Sequence, residues 1–298
     1  MQLLEVKRVM EQMLKQATPK RLKRKTKLQN LIDSELWRAV EVPRLFQDIA
    51  DAFTNTGCLR HLVQVEEEEE SAVATQRPRV ASLCIHGQPY VVVGTALILF
   101  QMMAQYCSHL EAFPAMAGDL LVKLVELLKF FNSRTCQLIL GAGALCTIKI
   151  KTISVRQIAL ASRSLQLILS MVPGVEAEFK AALPPSQANL MRHFDQVSKD
   201  LKDHIDELSN KITSLTKYII SKRLATWRGD GGKAPSMAFQ KIAKLLTSLH
   251  NQLEPVLPPE QTAGLILKGH QIFKEVFREA LISQQITPSD SQRYTFFV

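Results

Sequence analysis

Residues that interrupt helices are scarce in this sequence of 298 residues. It contains 12 glycines and 13 prolines, spread so unevenly that long stretches carry neither. Charged residues are also few, at 22%, while 46% are hydrophobic, which excludes wholesale disorder and allows a sizeable core. Because glycine and proline punctuate helices most strongly, the uninterrupted stretches predict a helical protein rather than a sheet protein.

Paired cysteines and long apolar runs are both missing. The five cysteines are Cys58, Cys84, Cys107, Cys136 and Cys146. They form no C-x-x-C pair and are odd in number, so they fit reduced cytosolic thiols better than a disulfide framework or a zinc knuckle. The most apolar run, residues 90–100, is too short to span a bilayer, which needs about 20 residues. With no secretory signal at its start, the sequence predicts a soluble cytosolic protein.

Catalytic and cofactor motifs are absent as well. Neither a G-x-S-x-G elbow nor an H-E-x-x-H pair occurs. Gly141 and Gly143 form the one apolar glycine cluster, but a dinucleotide loop would need a third glycine where Cys146 stands. Small residues that let two helices approach closely explain this cluster better. We therefore expect no enzymatic activity, no cofactor and no catalytic residue.

One group of side chains raises the question of a metal site. His193, Asp200 and His204 lie near one stripe of a predicted helix. The two histidines would be about 16 Å apart along that helix, which is too far to share one ion. Asp200 and His204 are four residues apart, and the pattern favours a hydrogen-bonded surface pair over metal binding.

Positive charge is concentrated at the start of the chain. Residues 1–30 contain nine basic and two acidic residues, which accounts for most of the net charge of +9. Its densest part is Lys20, Arg21, Lys23, Arg24, Lys25 and Lys27. This arm is open to three readings: contact with acidic lipid headgroups, binding of RNA or DNA, or a solvated stretch that can dock an acidic partner. No aromatic residue precedes Trp37, so the arm lacks rings on which bases could stack.

The strongest structural signal is a stripe of apolar residues in the second half. Its nine members are Leu190, Phe194, Val197, Leu201, Ile205, Leu208, Ile212, Leu215 and Ile219. They alternate at spacings of three and four residues, which is typical of one buried face of a helix. We expect a helix that begins at Ser186, runs to about Trp227 and uses this stripe as its structural core.

Shorter signals predict the other elements. Two apolar runs within residues 83–93 flank a glycine turn and predict a small β-hairpin. Helices are predicted at 94–111 and 116–131, with another after Ser133. Ser154 and Gln157 have the spacing of a capping box at the start of a further helix. Pro173 and Gly174 are expected to end that helix.

Five consecutive glutamates, Glu66–Glu70, mark a solvated linker because like charges repel one another. We divide the chain into a helical arm at 1–62, an acidic flexible linker at 63–82, a first helical bundle at 83–152 and a C-terminal helical bundle at 153–298.

Several of these segments resemble a known family. They are DSELWRAVEVPRLFQDI at 33–49, GQPYVVVGTALIL at 87–99, LLKFFNSRTCQLILGAGAL at 127–145, LMRHFDQVSKDLKDHI at 190–205 and LPPEQTAGLIL at 257–267. In this order they resemble the C-terminal part of the family of vacuolar protein sorting-associated protein fifty-four. The resemblance covers roughly residues 28–278, although the last residues, around 287–298, depart from it.

The resemblance implies an all-α fold of elongated, stacked antiparallel helical bundles, as in multisubunit tethers. It implies a non-catalytic subunit of the Golgi-associated retrograde protein complex, in retrograde transport from endosomes to the trans-Golgi network. The C-terminal part represented here would serve recruitment to endosomes through an unidentified partner. Contacts with SNAREs are expected outside this chain.

We therefore expect a cytosolic protein that reaches the trans-Golgi network and endosome membranes peripherally and through partners, and that does not bind nucleic acid. The alternative is a basic helical adaptor that binds anionic membrane or nucleic acid directly through residues 1–30. Binding to phosphates or headgroups weakens steeply with salt, so a salt titration separates the two.

Overall fold

A computed structural model describes residues 26–59, 79–141, 153–225, 227 and 236–283. Its helices are α1 (residues 26–33), α2 (Arg44–Thr56), α3 (Gly94–Ala112), α4 (Ala117–Leu140), α5 (Val155–Ala182), α6 (Arg192–Ala225), α7 (Met237–Leu253) and α8 (Pro259–Ser283). The strands are β1 (Val42–Pro43), β2 (Arg79–Val80), β3 (Leu83–Ile85) and β4 (Gln88–Tyr90). The predicted all-α class is confirmed.

The strands form two short antiparallel pairs. β3 pairs with β4 around His86 and Gly87, both of which have positive φ angles, of 49° and 75°. Positive φ at both central residues is typical of a two-residue hairpin turn, so the predicted hairpin is confirmed. β1 pairs with β2 as well, but this pair is not a hairpin. This second pairing joins distant segments without a local turn to signal it.

Helices α4 and α5 each run past a predicted boundary. α4 continues through Asn132 and Ser133, and α5 continues through Pro173 and Gly174. A proline inside a helix removes one hydrogen bond and costs about 3 kcal/mol. Burial of the side chains around it, such as Met171, Val172 and Val175, offsets that cost and keeps α5 in one piece.

Gly174 has a packing role in α5. A Cβ atom placed on it would lie 2.4 Å from Cε2 and Cζ of Phe53, which is closer than real contacts allow. Glycine therefore lets α5 approach the buried ring of Phe53 in α2. The residue that was expected to end the helix instead serves close helix packing.

Most buried side chains belong to one hydrophobic cluster, which reaches from Leu28 to Leu265 and includes residues on both sides of the boundary predicted at 152/153. A second group, here called the distal cluster, consists of Ile220, Leu224, Trp227, Ile242, Ile272 and Val276. Edge-to-face contacts between the rings of Trp227, Phe239 and Phe277 surround it. The division of the chain into four segments stays a prediction.

α6 is the longest of the described helices, with 34 residues, and packs against α4, α5, α7 and α8. It begins at Arg192 rather than at Ser186, because Pro185–Met191 forms a 3-10 helix before it. The last residues of α6 lead to the distal cluster, while its first residues lie in the main cluster.

Candidate interaction surfaces

The nine stripe residues fall into two groups. Phe194, Val197, Leu201, Leu208 and Ile212 are buried in the main cluster. Leu190, which lies in the 3-10 helix, and Ile205, Leu215 and Ile219 of α6 are half-buried. After Ile212 the buried positions are Thr216, Ile220 and Leu224, each four residues after the last. After Ile212, therefore, the buried face of α6 no longer follows the predicted stripe.

Helix geometry explains this separation. Steps of four residues in a helix of 3.6 residues per turn rotate the buried face by about 40° each. The rotation turns the second half of α6 from the main cluster toward α8 and the distal cluster. The apolar pattern could not show it, because the position that takes over is a threonine. Thr216 donates its hydroxyl to the Ile212 carbonyl at 2.9 Å and can therefore be buried.

α8 packs closely beside this part of α6. A Cβ atom on Gly269 would lie 3.1 Å from Cδ2 of Leu246 and 3.7 Å from Cγ2 of Thr216. Gly269 and Thr216 thus bring α8, α7 and α6 together at one level. Close approach through small residues had been assigned to Gly141 and Gly143; Gly141 ends α4, and Gly143 lies outside the described residues.

The basic arm is described only at its end. Lys20, Arg21, Lys23, Arg24 and Lys25 lie outside the described residues, whereas Lys27 is exposed on α1. The other side of α1 is fixed, since Leu28 and Ile32 are completely buried. The arm therefore joins a helix that is packed into the main cluster.

Carboxylates hold the segment after α1 against the bundle. Asp33 accepts a hydrogen bond from Nε of Arg134 at 2.7 Å. The carboxylate of Glu35 accepts from the backbone N–H of Trp37 at 3.2 Å and of Thr95 at 3.1 Å. Thr95 is in the first turn of α3, whose N-cap, Val93, has no side-chain oxygen, so Glu35 caps that helix from a distant part of the chain.

Two charged side chains are buried on α5. Glu178 accepts a hydrogen bond from the backbone N–H of Leu59, and both residues are buried. The guanidinium of Arg163 lies 4.0 Å from the ring centroid of Tyr90 and donates to the Pro89 carbonyl. Burial lowers the pKa of Arg163, and the coulombic effect of Tyr90 opposes that shift. These groups fasten the hairpin and the end of the N-terminal segment to α5.

The capping box at the start of α5 is confirmed. The backbone N–H of Gln157 donates to Oγ of Ser154 at 3.3 Å, and the N–H of Ser154 donates to Oε1 of Gln157 at 2.9 Å. The amide of Gln157 also donates to the carbonyl of Leu36 at 3.3 Å. One capping residue therefore also ties the N-terminal segment to α5.

Asp200, one of the candidate metal ligands, has a partner on its own helix. Asp200 accepts from Nε2 of Gln196 at 2.7 Å, on the same turn of α6. Within the part of the chain that the structure describes, no group of three metal-binding side chains occurs.

Burial, with a smaller effect of Glu207, raises the pKa of the Cys136 thiol to about 12, so that thiol stays protonated at neutral pH.

Among the described helices, α5 is the one that is long and apolar enough to cross a membrane by composition. Of its most apolar window, 72% is buried inside the protein. Such burial is typical of the central helix of a bundle, and it agrees with the two apolar faces of its sequence.

These features define the class of the protein as a helical bundle. The charged and polar side chains described above join its helices to one another. Comparison with protein families then places the chain more closely. Residues 87–218, which run from the hairpin into α6, match the family model described as Vps54-like protein.

Curated relatives agree with this match. The chain is 39% identical over 251 residues to vacuolar protein sorting-associated protein 54 of Homo sapiens, covering 84% of this chain and 25% of the relative. Its counterpart in Caenorhabditis elegans is 36% identical over 286 residues, covering 92% of this chain and 27% of the relative. That of Drosophila melanogaster is 31% identical over 263 residues, covering 88% and 26%.

The chain spans about a quarter of the length of these relatives. No solved structure matches it. The chain matches the C-terminal part of these relatives, which confirms the resemblance predicted from its sequence.

Proposed function

We propose that this chain acts as the C-terminal part of a Vps54-type subunit in a vesicle-tethering complex, without enzymatic activity. The observation that supports this proposal is the similarity to the C-terminal part of vacuolar protein sorting-associated protein 54 along 84% of the chain. The names of those relatives associate them with protein sorting. The transport step that we propose is retrograde, from endosomes to the trans-Golgi network, within the Golgi-associated retrograde protein complex.

The arrangement of side chains supports a scaffold. Glu35, Arg134, Arg163 and Glu178 contact other parts of the same bundle, so they hold helices in place. A rigid bundle of this kind can present exposed helix sides to other subunits and to a recruitment partner on endosomes. We place the SNARE contacts outside the matched region and the protein in the cytosol, at these membranes peripherally and chiefly through partners.

The alternative function also has an observation in its favour. Residues 1–30 carry nine basic residues, enough to bind an anionic membrane or a nucleic acid directly. Binding by this alternative would weaken steeply with salt and would need residues 1–30, whereas the scaffold proposal requires neither.

A chimera tests the scaffold proposal. Human cells that lack vacuolar protein sorting-associated protein 54 would receive the human protein with its matching C-terminal part replaced by this chain. We expect the chimera to associate with the other subunits, to reach endosomes and to restore retrograde transport of a cargo receptor. A second chimera, with the six arm residues from Lys20 to Lys27 changed to glutamine, should do the same. Assembly without recruitment or transport in the first chimera would refute the proposal, and failure of the second alone would favour the alternative.

A further inference from the structure

Charge is divided along α6. Residues 192–207 contain five acidic residues, Asp195, Asp200, Asp203, Asp206 and Glu207, and three basic ones, Arg192, Lys199 and Lys202. Residues 208–225 contain no acidic residue and four basic ones, Lys211, Lys217, Lys222 and Arg223. α7, which packs beside this half, adds Lys241 and Lys244 and no acid. The second half of α6 and α7 together therefore carry six positive charges and no negative charge of their own.

The buried face of α6 determines which side of this half meets solvent. The buried residues from Leu208 onward are Leu208, Ile212, Thr216, Ile220 and Leu224. At 100° per residue, Tyr218 lies opposite the middle of this buried face, with the half-buried Lys211 and the exposed Lys222 beside it toward one edge. These three positions lie within an arc of about 40°. Tyr218 is 64% exposed, the highest exposure among the large hydrophobic side chains of α6. Lys217 is exposed at the far edge of this side, about 100° from Tyr218 in the direction away from Lys211 and Lys222.

The lysines on this side are available for a ligand. No carboxylate forms an ion pair with Lys211, Lys217 or Lys222 in the described part of the protein. On α8, Glu279 lines a cleft beside Ser221 and Ala225, at the edge of this side. The residues between the lysines, such as Ser214 and Ser221, are small, so the lysines and Tyr218 stand out from the helix.

We propose that this side of α6 contacts the anionic headgroups of a membrane. Lysines that flank an exposed tyrosine combine a positive charge for headgroups with a ring that is stable at the level of the headgroups. Positive charge and a ring on the side of one helix suit a membrane surface, whereas an amphipathic helix of a partner needs a groove for its apolar face. The contact would orient the chain on a membrane to which partners have already brought it.

Vesicle binding by the full chain tests this proposal. The variant Lys211→Gln/Lys217→Gln/Lys222→Gln removes the charge, and Arg192→Gln/Lys199→Gln/Lys202→Gln makes the same change on exposed residues of the acidic half. Each lysine near an anionic surface contributes roughly a factor of five in affinity. We therefore expect a loss of roughly 100-fold for vesicles of 70% phosphatidylcholine and 30% phosphatidylserine with the first variant, and little loss with its control.

A tryptophan at Tyr218 locates the contact. Trp37 and Trp227 are buried, at 2% and 4% exposure, so their emission should stay constant. Tyr218→Trp should therefore shift its emission to shorter wavelength when these vesicles are added, and high salt should reverse the shift. Leu267→Trp, at a 58% exposed position on α8, should not shift.

Three results would overturn the proposal. The first is equal binding to vesicles of phosphatidylcholine alone. The second is full retention of binding by the α6 variant while a glutamine variant of the six arm residues loses it. The third is that the α6 variant keeps its binding to vesicles but loses binding to a polyglutamate peptide. That result would assign the surface to an acidic protein segment. The chimera experiment measures assembly and transport, so its outcome is separate from each of these.

Discussion

The two halves of α6 use one amphipathic helix in different ways. The first half, residues 192–207, carries five acidic and three basic residues and buries Phe194, Val197 and Leu201 in the main cluster. The second half is basic on its exposed side, and its buried residues lead into the small distal cluster. The difference shows that a regular apolar repeat predicts a buried face, whereas the neighbouring helices decide where that face turns.

The largest expected effect is the loss of stability when a residue of the main cluster is truncated, compared with a substitution on the surface. Leu208 is completely buried beside Ile212, so Leu208→Ala should lower the free energy of unfolding by about 2–5 kcal/mol. Thermal unfolding followed by circular dichroism would show a lower Tm. Lys199→Gln, which changes an exposed residue on the same helix, should leave the Tm unchanged. Equal Tm values for the two variants would show that this stripe is not core.

A smaller effect is expected in the distal cluster. Ile220 is completely buried there, but the cluster contains few residues and can relax around a deletion. Ile220→Ala should therefore cost about 2 kcal/mol, at the lower end of the range for such truncations. Hydrogen exchange should speed up in residues 220–225 and 272–283 while α4 and α5 keep their protection. Faster exchange throughout α4 and α5 would mean that the two clusters unfold as one.

Glycine substitutions compare two helix surfaces. Gly174→Ala would force a Cβ atom against the ring of Phe53, and we expect a loss of about 1–3 kcal/mol. Gly264→Ala on α8 meets nothing within 4 Å and should stabilise the protein by about 0.5–1 kcal/mol. Urea unfolding measures both. Two stabilising substitutions would contradict the close approach of α5 to α2.

The smallest effect concerns the distant helix cap. Glu35→Ala removes the acceptor for the N–H groups of Trp37 and Thr95, which should cost about 1 kcal/mol. Glu41→Ala changes a carboxylate whose side chain is 70% exposed and should have almost no effect on stability. Urea unfolding of both variants checks this difference, and equal stabilities would show that Glu35 does not act as a cap.

Much of the fold was predictable from local patterns. The capping box of Ser154 and Gln157, the hairpin around Gly87 and the presence of α6 each depend on residues close together in sequence. The continuation of α5 through Pro173 goes with burial of the side chains around it and with the close contact between Gly174 and Phe53, about 120 residues away, whereas local rules predicted a break.

The charged side chains that join distant parts of the bundle could not be predicted from the sequence. Glu35 reaches Thr95 and Glu178 reaches Leu59, and neither partner can be identified without the fold. The role of Thr216 was missed for another reason, because a polar residue is not counted in an apolar stripe although its hydroxyl is satisfied within the helix. The interaction surface on α6 likewise requires knowledge of which side is buried.

The contrast between the halves of α6 can be measured directly by hydrogen exchange along that helix, with and without anionic vesicles. We predict slow exchange in residues 192–212 under both conditions. Residues 213–225 should exchange faster in the chain alone and slow down when vesicles are added. Equal exchange along the whole helix, or slowing by vesicles in residues 192–207 instead, would contradict the account.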